Sequence, residues 1–228
     1  EDSAFDNLTY GWYLQKEVSA DVSTVQYVTV TNSTFNHNNL KGIYAEKLSD
    51  ATFTNCTVDE NGFSSDGVPS YFLPWMAGID VNLKAGAYEN LTFNNCTVTD
   101  NALGGAVNGV GLTAKARDDG STYGSYPATL AGVTVNDGTY SGNKAGIRFG
   151  EPGKANAGPI GAQVRDAIVA DNIDYGFNHQ TQAAVTVVGN TFENHTTVFS
   201  QTTGNLLAYA NNITNFTTGI VSDTGATV

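Results

Sequence analysis

Six of the ten basic side chains of this acidic sequence fall between Lys84 and Lys154, interleaved with carboxylates and rings. Lys and Arg donate to carboxylates and hydroxyl groups, ring faces suit the C–H surfaces of sugars, and a positioned carboxylate moves protons. The candidate donors are Lys84, Lys115, Arg117 and Arg148, with Asp80 and Asn82 beside them. The candidate rings are Tyr71 and Trp75, in GFSSDGVPSYFLPWMA (residues 62–77), and Tyr123 and Tyr126, in KARDDGSTYGSYP (residues 115–127). Asp80, Asp118 and Glu151 are candidate acids or bases, and Arg148 is a candidate cation to stabilise a developing anion. Asp118 and Asp119, followed by Gly120, are candidate hard-oxygen ligands for Ca2+, as is the Asp171/Asp174 pair.

Two readings of these residues stay open. In one, Lys115 and Arg117 meet Asp118, Asp119 and Glu151 in a charge network that pins long loops, while the loop at 62–77 folds back and buries its own rings. In the other, the donors line a groove for an anionic or polyhydroxyl chain, with rings from two loops as walls.

A repeat must position these groups. Aligning on Asn38, Asn61, Asn101, Asn143 and Asn172, with His195 and Phe216 in the last two copies, gives spacings of 23, 40, 42, 29, 23 and 21 residues. Eight residues before the anchor stand Val30, Phe53, Phe93, Val135, Val164, Val187 and Ala208; three before it stand Phe35, Val58, Val98, Tyr140, Val169, Phe192 and Ile213. Five before it the side chains are small or short, Cys56 and Cys96 among them, which puts two thiols in neighbouring rungs, either within disulfide reach or as buried thiols filling the small slot. After the anchor a glycine leads a second strand, as at Gly42-Ile43, Gly78-Ile79, Gly111-Leu112 and Gly146-Ile147. Alternation then places Tyr44, Asp80, Thr113, Arg148 and Asn178 in one outward column, and Glu46, Asn82, Lys115, Gly150 and Gln180 in the next.

A unit this short buries its apolar face only by stacking on its neighbours. The pattern predicts an all-β solenoid of parallel strands, with about seven to eight rungs and three long loop insertions, in one domain over residues 1–228. It resembles the right-handed parallel β-helix of the pectate-lyase-like superfamily over nearly the whole chain; the leucine spacing of a leucine-rich horseshoe is missing. Asparagine suits the inner turn because it tolerates the left-handed conformation and its amide can bond to the next rung.

The resemblance implies a polysaccharide lyase, epimerase or hydrolase as one option for the groove. Tyr175-Gly176-Phe177-Asn178-His179 resembles the YGFDPH motif of mannuronan C-5 epimerases, with Asn178 in place of the motif's acid and no proline. That change removes the expected carboxylate, and the repeat directs His179 inward. On the opposite face Thr29, Thr52, Thr92, Thr134 and Thr186 form an outward column like the threonine arrays that bind ice, interrupted by Gln163 and Arg165.

A formal net charge of -12 argues against nucleic acid or an anionic membrane surface as partner, and no stretch is apolar enough for membrane insertion. Scarce lysine and abundant asparagine, threonine and glycine suggest an extracellular or cell-surface protein, processed or cut from a longer chain. Sequons at Asn7, Asn32, Asn55, Asn90, Asn95, Asn194, Asn212 and Asn215 coincide with repeat positions that asparagine already suits. The expected function is a module binding glycan or polysaccharide over rungs three to five, within an adhesin or matrix protein. The alternatives are the enzymes above or a structural spacer or filament subunit that self-associates end to end or laterally.

Overall fold

The computed structural model describes residues 1–64, 68–154 and 158–223. Residues 65–67 of the first long insertion and 155–157 of the third therefore lie outside the described residues.

The chain winds as a three-sided solenoid in which the strands of each side pair in parallel. One side carries Tyr10–Leu14, Lys41–Ala45, Ala77–Leu83, Val110–Ala116, Ile147–Phe149 and Tyr175–His179. A second carries Val25–Thr31, Leu48–Thr54, Gly86–Asn94, Ala128–Asn136, Ala162–Arg165, Val185–Val188 and Leu206–Tyr209. The third is made of three-residue strands such as Thr57–Asp59 and Thr97–Thr99, and Thr191–Gln201 runs on from it into the first. Observed registers reproduce the sequence columns: Val30, Phe53, Phe93, Val135, Val164, Val187 and Ala208 pair rung to rung without a slip. Their inward side chains, with Phe35, Val58, Val98, Tyr140 and Phe192, form one continuous core. Burying each such side chain contributes about 1.5–3 kcal/mol.

Corners are made by left-handed residues. Asn32, Asn55, Asn95, Asp137, Asp166 and Gly189 take positive φ at one corner, and Tyr27, Asp50, Asn90, Gly132 and Gly161 at another. At the inner turn the left-handed residue is the one before each anchor, namely His37, Glu60, Asp100, Gly142, Asp171, Asn194 and Asn215, and not the anchor itself. The expectation is corrected there: the anchor asparagines from Asn38 to Asn172 act through their amides and not through a left-handed backbone. Seven of the eight sequon asparagines have positive φ, so corner geometry accounts for them, with Asn212 the exception.

The anchor amides form a ladder. Oδ1 of Asn61, Asn101, Asn143 and Asn172 each accepts the backbone N–H of the preceding anchor at 3.0 Å and its Nδ2 at 2.8–3.1 Å. Each Nδ2 also donates to a carbonyl of the preceding rung, as Asn101 does to Val58 at 2.9 Å. His195 ends the series by placing Nε2 2.9 Å from the Val169 carbonyl. The glycine column follows from the ladder. A Cβ at Gly111 would stand 2.7 Å from Asn143 Nδ2 and 2.9 Å from the Gly146 carbonyl, and Gly42, Gly78 and Gly146 are crowded the same way. Small residues five before the anchor fill a similarly tight slot, where Cys56 and Cys96 are buried free thiols. Among the described residues no helix is long and apolar enough to cross a membrane.

Asn101→Ala removes the acceptor of two Asn61 donors and the donor to Val58, so it should cost about 3 kcal/mol in chemical denaturation. Gly111→Ala should cost about 2 kcal/mol through overpacking. An Asn101→Ala variant as stable as the parent would show that the ladder does not hold the rungs.

Candidate functional site

The strand Lys41–Ala45 leaves the turn with its first residue outside the core. Alternation groups Lys41 with Ile43 and Ala45, yet the residues that precede the column glycines stay out of the main cluster: Ala77, Val110 and Ala145 form a small cluster of their own against Tyr175. Lys41, in that column, thus reaches the first side's outer surface and meets Asp80 one rung on. Sequence reasoning misses Lys41 and Tyr10 for this reason, and it misses Tyr13, which pairs with Tyr44 and so obeys the outward column, because Gly11-Trp12 reads only as the end of an earlier copy.

A cleft of about 420 Å³ opens over this surface. Its floor is an unbroken chain of alternating charges. Lys41 Nζ lies 2.5 Å from Asp80 Oδ2, Lys115 Nζ lies 3.5 Å from Asp80 Oδ1 and 3.0 Å from Glu151 Oε2, and Arg117 Nη1 lies 3.3 Å from the same Glu151 oxygen. Arg117 then grips Asp119 through Nε at 2.5 Å and Nη2 at 3.0 Å, and Lys154 Nζ closes the chain 3.1 Å from Asp119 Oδ2. Four cations alternate with three carboxylates, so the floor carries one positive charge in excess. A second group stands beside it: Glu46 accepts from Lys84, from the Tyr44 hydroxyl at 2.6 Å and from the Lys16 backbone at 2.9 Å. Asn82 Nδ2 donates to the Tyr44 hydroxyl at 3.3 Å.

Two sets of rings line the cleft. Tyr13 stacks on Tyr44 at 5.6 Å with Tyr10 4.6 Å from Tyr13, while Tyr71, Phe72 and Trp75 come from the first long loop. Lys41 lies 4.2 Å from the centre of the Tyr44 ring, and Lys115 5.5 Å from that of Trp75. Both readings of the loop are realised in part. Met76 is fully buried beside Leu40, Ala102 and Ala106 with Phe72 and Leu73 packed on them, but Tyr71 is 68% exposed.

Lys84, Asp80, Asn82, Lys115, Arg117, Tyr71, Trp75 and Glu151 are all brought into the cleft lining. Tyr123 stands just outside it, its ring centre 4.4 Å from the Arg117 guanidinium and 5.7 Å from Lys84 Nζ. Tyr126, Asp118 and Arg148 are not part of the lining; Tyr126 is exposed, and Arg148 opens into a separate recess. The cleft begins at Tyr10 and Tyr13, so it reaches further toward the N-terminal rungs than the charge cluster alone indicates. Asp119 commits both oxygens to Arg117 and Lys154, Asp171 accepts from Asn194 and Asp174 pairs with Lys144. No group of three or more His, Cys, Asp or Glu able to hold a metal occurs among the described residues.

Electrostatics limit what the floor can do. Burial works to raise the Asp80 carboxyl, but Lys115 and Lys41 outweigh it and hold it at about 2, below the ordinary 3.8. Asp80 is therefore ionised at neutral pH, with a cation at each oxygen, which suits positioning and leaves it a weak proton acceptor. Burial raises the Tyr10 and Tyr44 hydroxyls, so both stay protonated as hydrogen-bond donors. His179 is buried, its Nε2 2.9 Å from the Ala183 carbonyl, as the inward direction of the repeat requires.

The Asp80 shift has a definite sign. A carboxyl depressed in the folded state stabilises fully above its unfolded value of 3.8, and that contribution is lost as pH falls through about 2. Asp80→Asn strands Lys41 and leaves Lys115 with Glu151 alone, and should cost about 3 kcal/mol at neutral pH. Denaturation midpoints measured from pH 6 to pH 2 should fall less steeply for the variant than for the parent.

The comparisons with known proteins fit this architecture. A family model described as "Right handed beta helix region" matches residues 5–151, which carry every residue of the charged floor except Lys154. No curated protein and no solved structure matches the chain. On the strength of the family match and the stacked parallel rungs, the chain belongs to the right-handed β-helix family.

Proposed function

We propose that the protein is a β-helix module that binds a glycan chain in the cleft on its first side. The observation that carries this reading is the pairing of two sets of rings, Tyr10, Tyr13 and Tyr44 with Tyr71, Phe72 and Trp75, above a floor of mutually paired charges. Rings offer faces to sugar C–H surfaces, and the protonated Tyr10 hydroxyl with the more exposed Lys84 and Lys154 offers hydrogen bonds to hydroxyls. Binding is favoured over turnover because Asp80 is held ionised between two lysines and Arg148, the candidate cation, lies outside the cleft. The composition supports a place outside the cell or on its surface, within an adhesin or matrix protein.

A glycan array read with purified protein, backed by a product assay on the bound sugars, tests the proposal. Parent protein should bind at least one polysaccharide without releasing product, and Trp75→Ala and Tyr13→Ala should each weaken binding about tenfold. Product release abolished by Asp80→Asn would instead establish an enzyme. Absence of binding by a folded parent would leave a structural spacer.

A further inference from the structure

Arg148 carries its charge into a site where Asp80 and Glu151 attract it from a distance but no carboxylate among the described residues pairs with it directly. Its side chain is 3% exposed, yet it takes part in none of the ion pairs among the described residues. Nη1 donates to the Asn108 carbonyl at 3.0 Å, whereas Nε is buried with no hydrogen-bond partner among the described residues. Such an arrangement is costly, because a desolvated cation needs compensation from an opposite charge or acceptors.

The guanidinium lines a recess of about 110 Å³ that is distinct from the cleft; Glu151 lines the cleft and the next residue, Pro152, lines the recess. Asn178 and Gln180 share the recess. Gln180 Nε2 donates to Asn178 Oδ1 at 2.7 Å, which uses that oxygen and leaves Asn178 Nδ2 to serve as a donor. Asp174, the one carboxylate among the described lining residues, is held by Lys144 at 2.9 Å. Rings and aliphatic groups of Tyr175, Val107 and Ala145 complete the wall. With Nη1 engaged, the Nε–Nη2 edge is the one that takes a carboxylate through two parallel hydrogen bonds. At about 30 Å³ for a water-sized group, the recess has room for roughly four non-hydrogen atoms, the size of a carboxylate and the carbon that bears it.

We infer that the Arg148 recess is a binding site for a carboxylate group, either free or pendant on a larger ligand. Arg148 supplies the charge and two donors, and Asn178 supplies a third. The recess is separate from the cleft, and its occupant gives direct contact to a cation that Asp80 and Glu151 reach only from a distance. Asn178 stands where the epimerase-like motif carries an acid; a neutral donor there is what an anion site beside Arg148 needs.

The test uses acetate, sodium chloride at equal ionic strength, glucuronate and glucose, with two readouts. Acetate should raise the thermal midpoint of the parent by a few degrees over chloride and displace the Arg148 Nε–H resonance in nitrogen-edited NMR. Arg148→Met should lose the midpoint response. Saturation by acetate with glucuronate no better than glucose assigns a free small anion, and saturation by glucuronate assigns a pendant carboxylate. An unmoved Nε–H resonance with both anions, or an equal midpoint rise in Arg148→Met, overturns the proposal. Should Arg148→Met fail to fold, the parent's resonance decides alone. Neither readout involves Trp75 or Tyr13, so failure of glycan binding in the cleft leaves the result intact.

Discussion

The amide ladder from Asn38 to Asn172 is the interaction on which the remaining structure depends. Each rung is short and cannot choose its own register, and a one-residue slip would turn every inward side chain outward. The ladder removes that freedom, because the N–H of each anchor from Asn38 to Asn143 has one acceptor, the amide oxygen of the next rung. Glycine follows from it, since the amides occupy the space a Cβ would need. The main core then fills with side chains that meet their own kind in the rungs above and below.

Fixed register also brings opposite charges together on the first side. Asp80, in the first outward column, lies one rung from Lys41 and within reach of Lys115 in the second, and Glu151 and Arg117 extend the series into the loops. Lys41, Asp80, Lys115 and Glu151 are nearly inaccessible, so these pairs lie far from the exposed regime in which ion pairs contribute little. Buried pairs cost much of what they gain by desolvation, and a chain in which each internal charge has two partners recovers more than an isolated pair does. The floor is therefore a rigid, preorganised surface, with stacked tyrosines and a loop of rings standing over it.

Much of this was legible in the sequence, for a physical reason: a solenoid translates sequence columns directly into spatial columns. The column Val30, Phe53, Phe93, Val135 is a literal stack, and Asp80 and Lys115 fall where alternation puts them. The reading failed where alternation stops. Lys41 sits at the first residue out of a turn, ahead of a glycine, and period-two logic assigns it to the core. Arg148 obeys its column but not its expected company, since Asn108 and Pro152 come from loops whose path no periodicity specifies. The left-handed corner was placed one residue late, because Asn, Asp and Gly populate three corners and the anchor column hides the one beside it.

The most direct test of the ladder's role is native-state hydrogen exchange at the backbone amides of Asn38, Asn61, Asn101 and Asn143. These amides should be among the slowest in the chain, opening only with a free energy close to that of global unfolding. Exchange as fast as that of the exposed turn residues Ser19 and Ala20 would contradict the account, because the rungs would then keep their register by some other means.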